Sequence, residues 1–320
     1  MSTGGKYISQ VCNNFKFVSD LGQNYCLGKM TGKEPSLPQD YVMDISEDER
    51  FMFGSYPKLK QLLEAKTKLI RERNHPPIVY NTQSMRRIDL MQFDKFDVMV
   101  LKLPLETWSL DELQNSIRMD LLADAPSFIV LGCGGTTKGL QLGRKLIKEW
   151  GFRRAEDIIW LRKSDSNSSA AEEPILTKAN SVFDLQNQIF TSSKEHFLVG
   201  IRGTIKRNVD THFINSNLDT DVIVTDFKQK VDFPLEIFHI MERLCLGRKR
   251  VFLQFQGQKI ETEIDLPGWL TIRENPLATE SKFDSDFYQD LFIDPQTGQP
   301  DRYLGTTEEI ENLRPKSPSA

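Results

Sequence analysis

Apolar positions recur along this chain with two alternating periods. Short continuous apolar runs mark strands covered on both faces. Between them, apolar residues fall three and four apart, as in helices with one covered face. The first helical stretch opens at Pro57 and reads KLKQLLEAKTKLIRERN, with Leu59, Leu62, Leu63, Lys66 and Ile70 on one stripe and charge on the other. Pro76-Pro77 ends it, and Ile78–Tyr80 predicts a short strand. The run FDVMVLKLPLETW, Phe96–Trp108, predicts a buried strand over 96–103 that exits through Pro104. A helix is predicted over 109–122, with Ser109 as N-cap and Glu112 at the capping-box position. Phe128–Leu131 predicts a strand ending in Gly132-Cys133-Gly134-Gly135, and KGLQLGRKLIKEWG predicts a helix closed by Gly151 at C′. Further strands are predicted at Asp157–Leu161, Glu195–Arg202, Asp221–Thr225, Val251–Phe255 and 268–272, with a helix at Leu235–Leu244. Strands alternating with helices predict an α/β sandwich around a largely parallel sheet.

The polar stretches set the expected boundaries. Residues 1–45 are polar and weakly periodic, and read as a flexible or loosely docked N-terminal arm. Asp44–Arg50 is an acidic, Ser-capped start that leads into a helix. The segment 164–180, which begins SDSNSSAAEEP, reads as a protruding loop. One main domain is expected over 46–315, with 316–320 a short tail; everything after 274 is polar and tail-like in composition.

Composition narrows the classes. Of 320 residues, 39% are hydrophobic and 27% charged, as in ordinary globular proteins. No apolar run approaches the roughly 18 residues of a membrane span, and no secretory signal is expected at the N-terminus. The net charge of −4 means that nucleic-acid binding must come from local basic patches. Cys12, Cys26, Cys133 and Cys245 lie far apart with no C-x-x-C spacing, which predicts a reducing compartment and no zinc site. His75, His196, His212 and His239 show no ligand spacing either, and hydrogen-bonded structural roles are expected for most.

Little of the sequence announces chemistry. The GCGG at 132–135 matches neither G-x-G-x-x-G nor a P-loop, and reads first as a tight strand-to-helix turn. Basic clusters stand at Arg153-Arg154, Lys206-Arg207 and Arg248-Lys249-Arg250, each next to a turn. Arginine pairs bidentately with phosphate or carboxylate, so a phosphate groove and a subunit-interface salt bridge are equal readings on spacing alone. No Ser/His/Asp order and no carboxylate pair stands out.

Several segments resemble one family in order and over nearly the whole chain after about residue 50. They include GSYPKLKQLLEAK at 54–66, FDVMVLKLPLETW at 96–108 and SFIVLGCGGTTKGLQLGRKLIKEWGFRRAEDIIWLRK at 127–163. SKEHFLVGIRGTIKRNVDTHFINSNLDTDVIV at 193–224, PLEIFHIMERLCLGRKRVFL at 234–253, PGWLTI at 267–272 and TEEIENLRPKSP at 307–318 complete the set. These resemble the methyltransferase-like 14 type of non-catalytic subunit of N(6)-adenine methyltransferase complexes; the degenerate subunit of a ciliate DNA adenine methyltransferase complex is a related case. The resemblance implies a Rossmann-like methyltransferase fold. It also implies a heterodimer with an active methyltransferase-like 3 type catalytic subunit, which binds S-adenosylmethionine.

In active subunits of this family the strand exit carries Asp-Pro-Pro-Trp. Here it reads Lys102-Leu103-Pro104-Leu105. Adenine N(6)-methylation needs an acceptor for an amino proton and an aromatic face for the base. Lys102 only donates, would repel a sulfonium, and Leu105 removes the aromatic face. Asn217 stands where active subunits have glycine. No catalytic, cofactor-binding or metal residue is therefore expected in this chain. Inactive relatives keep Glu-Pro-Pro-Leu, so the tetrapeptide departs from both patterns. Carried over by position, Arg153, Arg154, Lys206 and Arg207 are implied to line a positive nucleic-acid groove at the dimer interface. The substrate implied is RNA, or DNA, containing a target adenine, with accessory subunits and a nuclear location. The family's Arg-Gly-rich tail would follow LRPKSP; the sequence stops at Ala320, and weak affinity through this subunit alone is expected. A yeast relative tied to mating and meiotic transcription offers the rival role of a regulatory docking surface.

Overall fold

All seven residues of Phe96–Lys102 are buried, so this segment can only be an interior strand. The computed structural model of the chain describes residues 42–43, 57–105, 107–163, 194–205, 212–215, 219–226, 231–258, 266–279 and 282–313. Apart from 42–43, the expected arm and the loop at 164–180 lie outside these residues, as do Lys206, Arg207, Asn217 and the last seven positions. In chain order the elements are β1 (Val42–Met43), α1 (Pro57–Arg73), β2 (Ile78–Thr82), β3 (Phe96–Lys102), α2 (Leu110–Ser116) and α3 (Met119–Leu122). Then come β4 (Ala123–Gly134), α4 (Thr137–Glu149), β5 (Arg153–Lys163), β6 (Lys194–Arg202) and β7 (Val222–Asp226). The chain continues through α5 (Glu236–Leu244), β8 (Arg250–Gln254), β9 (Leu270–Glu274), α6 (Ser285–Asp290) and α7 (Glu308–Leu313).

The described strands form one sheet in the order β1-β7-β5-β6-β4-β3-β8-β9-β2. Only β6 runs against its neighbours, pairing antiparallel with both β4 and β5. Every strand predicted from the apolar runs is present, and the sheet is largely parallel as expected. Alternation along the strands splits the core into two layers. Met99, Leu101, Ile129, Leu131 and Leu198 face α4 through Leu146 and Ile147. Val98, Val100, Val130, Phe197 and Trp160 face α5 through Ile237, Phe238 and Met241.

Helix α4 lies unusually close to the sheet. A Cβ on Gly139 would stand 2.0 Å from the Cys133 carbonyl oxygen, and one on Gly143 would stand 2.2 Å from Cys133 Sγ. These glycines are needed for contact, because any side chain would lift the helix off β4. At its end, Gly151 takes a φ of 79°, its N–H donates to Lys148 O and that of Phe152 to Ile147 O. This pair of bonds is the Schellman closure predicted from the glycine.

Two expectations need correction. The helix predicted over 109–122 is two pieces, broken at Ile117, which is extended at φ −107° and ψ 93°. The capping box at Ser109 and Glu112 forms as predicted, but Ile117, Met119 and Leu122 must all reach the core, and one straight helix would not turn them into β4. The polar run after 274 is also not a tail. Its sparse apolar residues Phe283, Tyr288, Phe292, Leu304 and Ile310 are buried, and α7 packs on α1. Within the expected arm, Val42 and Met43 pair with Ile223 and Val224 at the sheet edge.

Candidate functional site

The exit of β3 is closed by its own side chains. Lys102 has a side chain only 10% exposed, and its Nζ lies 2.7 Å from Oε2 of the buried Glu195 on β6. It also donates to the backbone carbonyl of Asp232 at 3.0 Å and lies 3.9 Å from Asp232 Oδ1. The Trp160 ring is within cation–π range, its centroid 5.8 Å from Nζ. The strand's last carbonyl, on Lys102, accepts from Gln258 Nε2 at 3.0 Å. Leu103 then turns into the α4-side core, while Leu105 points at the glycine turn, with Cδ1 3.0 Å from where a Gly139 Cβ would stand. Gly132, Cys133 and Gly134 are the last residues of β4, so the tight turn into α4 is shorter than the GCGG segment, only Gly135 and Thr136, and it is capped by the Thr136 side chain accepting from Gly139 N at 3.0 Å.

Methyl transfer from S-adenosylmethionine needs a site that tolerates a sulfonium and an adenine-facing acceptor. The strand exit offers an ammonium already bound to a carboxylate, and an aliphatic side chain over the turn. This donor set does not fit that cofactor.

The basic clusters have different fates. Arg153 and Arg154, both exposed at the start of β5, line an open pocket of about 490 Å³ with Arg144, Ile147, Lys148 and Phe152. Arg144 and Lys148 stand one helical turn apart on α4, so helix and strand together converge four cations on one apolar floor. Sequence reading missed these two. The signal was present in GRKLIKE, where Arg144 and Lys148 share a face, but only the chain reversal at Gly151 brings that face to Arg153. The pocket is on the α4 side of the sheet, whereas Lys102 is on the α5 side. The register Lys102↔Gly132↔Phe197↔Ile158, against Arg154↔Gly200, puts the two backbones about 17 Å apart at ordinary strand spacing.

Arg248, Lys249 and Arg250 do not face a phosphate. They belong to ion pairs with Asp301, Asp94 and Glu242. Nearby, fully buried Asp97 accepts from Arg302 Nη2 at 2.6 Å and from the Lys249 N–H at 3.1 Å, which ties the C-terminal segment to the N-terminal ends of β3 and β8. Burial holds the Asp97 carboxyl above its usual value while Arg302 works against this. The histidines play the expected structural parts: His75 Nδ1 lies 2.6 Å from Pro76 O, His196 pairs with Asp157 at 3.1 Å, and His239 lies 3.4 Å from Glu236. Burial pushes the Cys133 thiol up to about 12 and raises Cys245 as well, so neither is a nucleophile. Among the described residues no cluster of His, Cys, Asp and Glu could hold a metal, and no helix is long and apolar enough to cross a membrane.

Residues 76–274 match the MT-A70 protein family. The chain is 36% identical over 88% of its length to the N(6)-adenosine-methyltransferase non-catalytic subunit METTL14 of Xenopus tropicalis, covering 59% of that protein. The METTL14 non-catalytic subunit of Drosophila melanogaster gives 36% over 88% of the chain and 69% of the relative. Similarity to the human catalytic subunit METTL3 is lower, at 26% over 59% of the chain and 29% of that protein. The chain therefore spans about three fifths to two thirds of the METTL14 relatives it matches. A family match covering most of the sheet, with these identities over nearly the whole chain, establishes that the chain belongs to the MT-A70 family.

Proposed function

We propose that this chain is the non-catalytic subunit of an adenine N(6)-methyltransferase heterodimer. It braces an active METTL3-type partner and presents Arg144, Lys148, Arg153 and Arg154, with Lys206 and Arg207, to the phosphate backbone of the substrate. The observation that carries this reading is Lys102: a buried, carboxylate-bound ammonium stands where the chemistry needs an acceptor. S-adenosylmethionine is bound by the partner, and this chain holds none. The basic pocket supports the same reading, because it lies on the opposite face of the sheet from the strand exit. A phosphate held there lies away from this chain's own tetrapeptide, which suits a site across a subunit interface. RNA is the substrate favoured, since the relatives are named as adenosine methyltransferase subunits. Assembly with accessory subunits in the nucleus completes the proposal.

The test is co-expression with the catalytic paralogue of the same organism, assayed on matched RNA and DNA oligonucleotides. Methylation by the pair and by neither chain alone is expected. Activity in this chain alone would overturn the reading, and methylation of DNA only would change the substrate.

A further inference from the structure

The surroundings of Lys102 form a receptor for an organic ammonium. Its Nζ has a buried carboxylate at 2.7 Å, a backbone carbonyl at 3.0 Å and an aromatic face at 5.8 Å. Carboxylate, carbonyl and indole face are the three groups that recognise alkylammonium ions. The receptor is built rather than incidental. The Trp160 ring is fixed by its Nε1 donating to Thr225 Oγ1 at 2.8 Å. Opposite Lys102 in the ladder stands Gly132, where a Cβ would lie 3.0 Å from both Cβ and Cγ of the lysine. The glycine leaves room for the lysine stem. Glu195 has a side chain only 4% exposed, and a carboxylate that deep is costly without a cation beside it.

We propose that the exit of β3 is a cation site for primary alkylammonium ions, with the Lys102 side chain as its tethered resident. The resident ammonium links β3, β6 and the segment entering α5, and denies the cleft to any other cation, a sulfonium included. The inference deepens the reading of the same strand exit but does not stand on it, since it is tested by stability rather than by methylation.

The test is chemical rescue of Lys102→Ala in the purified protein, in whatever complex the protein is stable. The truncation removes three carbons and the ammonium, so n-propylammonium chloride is the matching probe. Lys102→Ala should lower Tm by about 5–10 °C. n-Propylammonium should recover a large part of that loss saturably, while equal potassium chloride or n-propanol should not, and wild type should be unmoved. Lys102→Ala combined with Glu195→Gln should no longer respond to the amine. Recovery no greater than that given by salt, or equal recovery in the double variant, overturns the proposal. Should Lys102→Ala not fold, Lys102→Met serves in its place for a coupling test. Adding Glu195→Gln to Lys102→Met should raise Tm, by removing a buried charge that has lost its lysine; no change would also overturn it.

Discussion

Replacing Arg302 with alanine should destabilise the fold, and most strongly at neutral to alkaline pH. Asp97, the second residue of β3, is fully buried, and Arg302 is its one ionic partner among the described residues, at 2.6 Å, while bonding Asp124 as well. Removing one member of a buried pair costs about 3–5 kcal/mol. The lower end applies here: the Arg302 side chain is 32% exposed, and the Lys249 N–H stays bonded to Asp97. About 3 kcal/mol corresponds to about 6–10 °C of Tm for a domain of this size. The pH dependence has a definite sign. Burial already holds the Asp97 carboxyl above its usual 3.8, and Arg302 opposes that rise. Without Arg302 the folded-state value climbs further, so the folded variant holds a proton that the unfolded chain has released. The stability tied to that proton is present at low pH and is lost as pH rises through the raised folded-state value. The deficit of Arg302→Ala should therefore shrink on going from pH 8 to pH 5. Urea or thermal unfolding of variant and wild type at the two pH values measures it. Equal deficits at both, or no recovery when Asp97→Asn is added to Arg302→Ala, would refute the reasoning.

Other consequences are simpler to measure. Gly143→Ala should cost about 1–3 kcal/mol in unfolding experiments despite alanine's better helix propensity, because its Cβ meets Cys133 Sγ at 2.2 Å. Gly151→Ala meets no atom within 4 Å, so its loss should be about 1–2 kcal/mol, from the φ of 79° alone. Lys148→Glu and Arg154→Glu in the assembled complex should each weaken oligonucleotide binding across all sequences and lower the salt slope by about 1. An unchanged slope would remove the basic pocket from the proposed interface.

The fold was legible in the sequence wherever burial was two-sided. Val98, Val100, Phe252 and Ile129 sit in apolar runs because both faces of those strands are covered. Caps were legible too, since Ser109, Glu112 and Gly151 act within one turn of themselves. What could not be read is what depends on distant contacts. Tyr288 and Leu304 look like isolated apolar residues in a polar tail until the segment folds back on α1 and the ends of β3 and β8. The partners of Arg248, Lys249 and Arg250 lie between 8 and 155 residues away, so a basic run that resembles a phosphate site proves to be internal ion pairing. The pairing of Lys102 with Glu195 spans three neighbouring strands and is invisible in one dimension. Recognition of the strand exit as degenerate needed the residue types and the family resemblance, whereas what replaces the lost chemistry needed the structure.

The central claim is that the strand exit of this chain has no place for S-adenosylmethionine. Calorimetric titration of the cofactor into the purified chain, and then into its complex with the catalytic paralogue, tests this directly. No saturable heat is predicted with the chain alone, and one equivalent per heterodimer with the complex. Saturable binding by the chain alone, or two equivalents per heterodimer, would contradict the account.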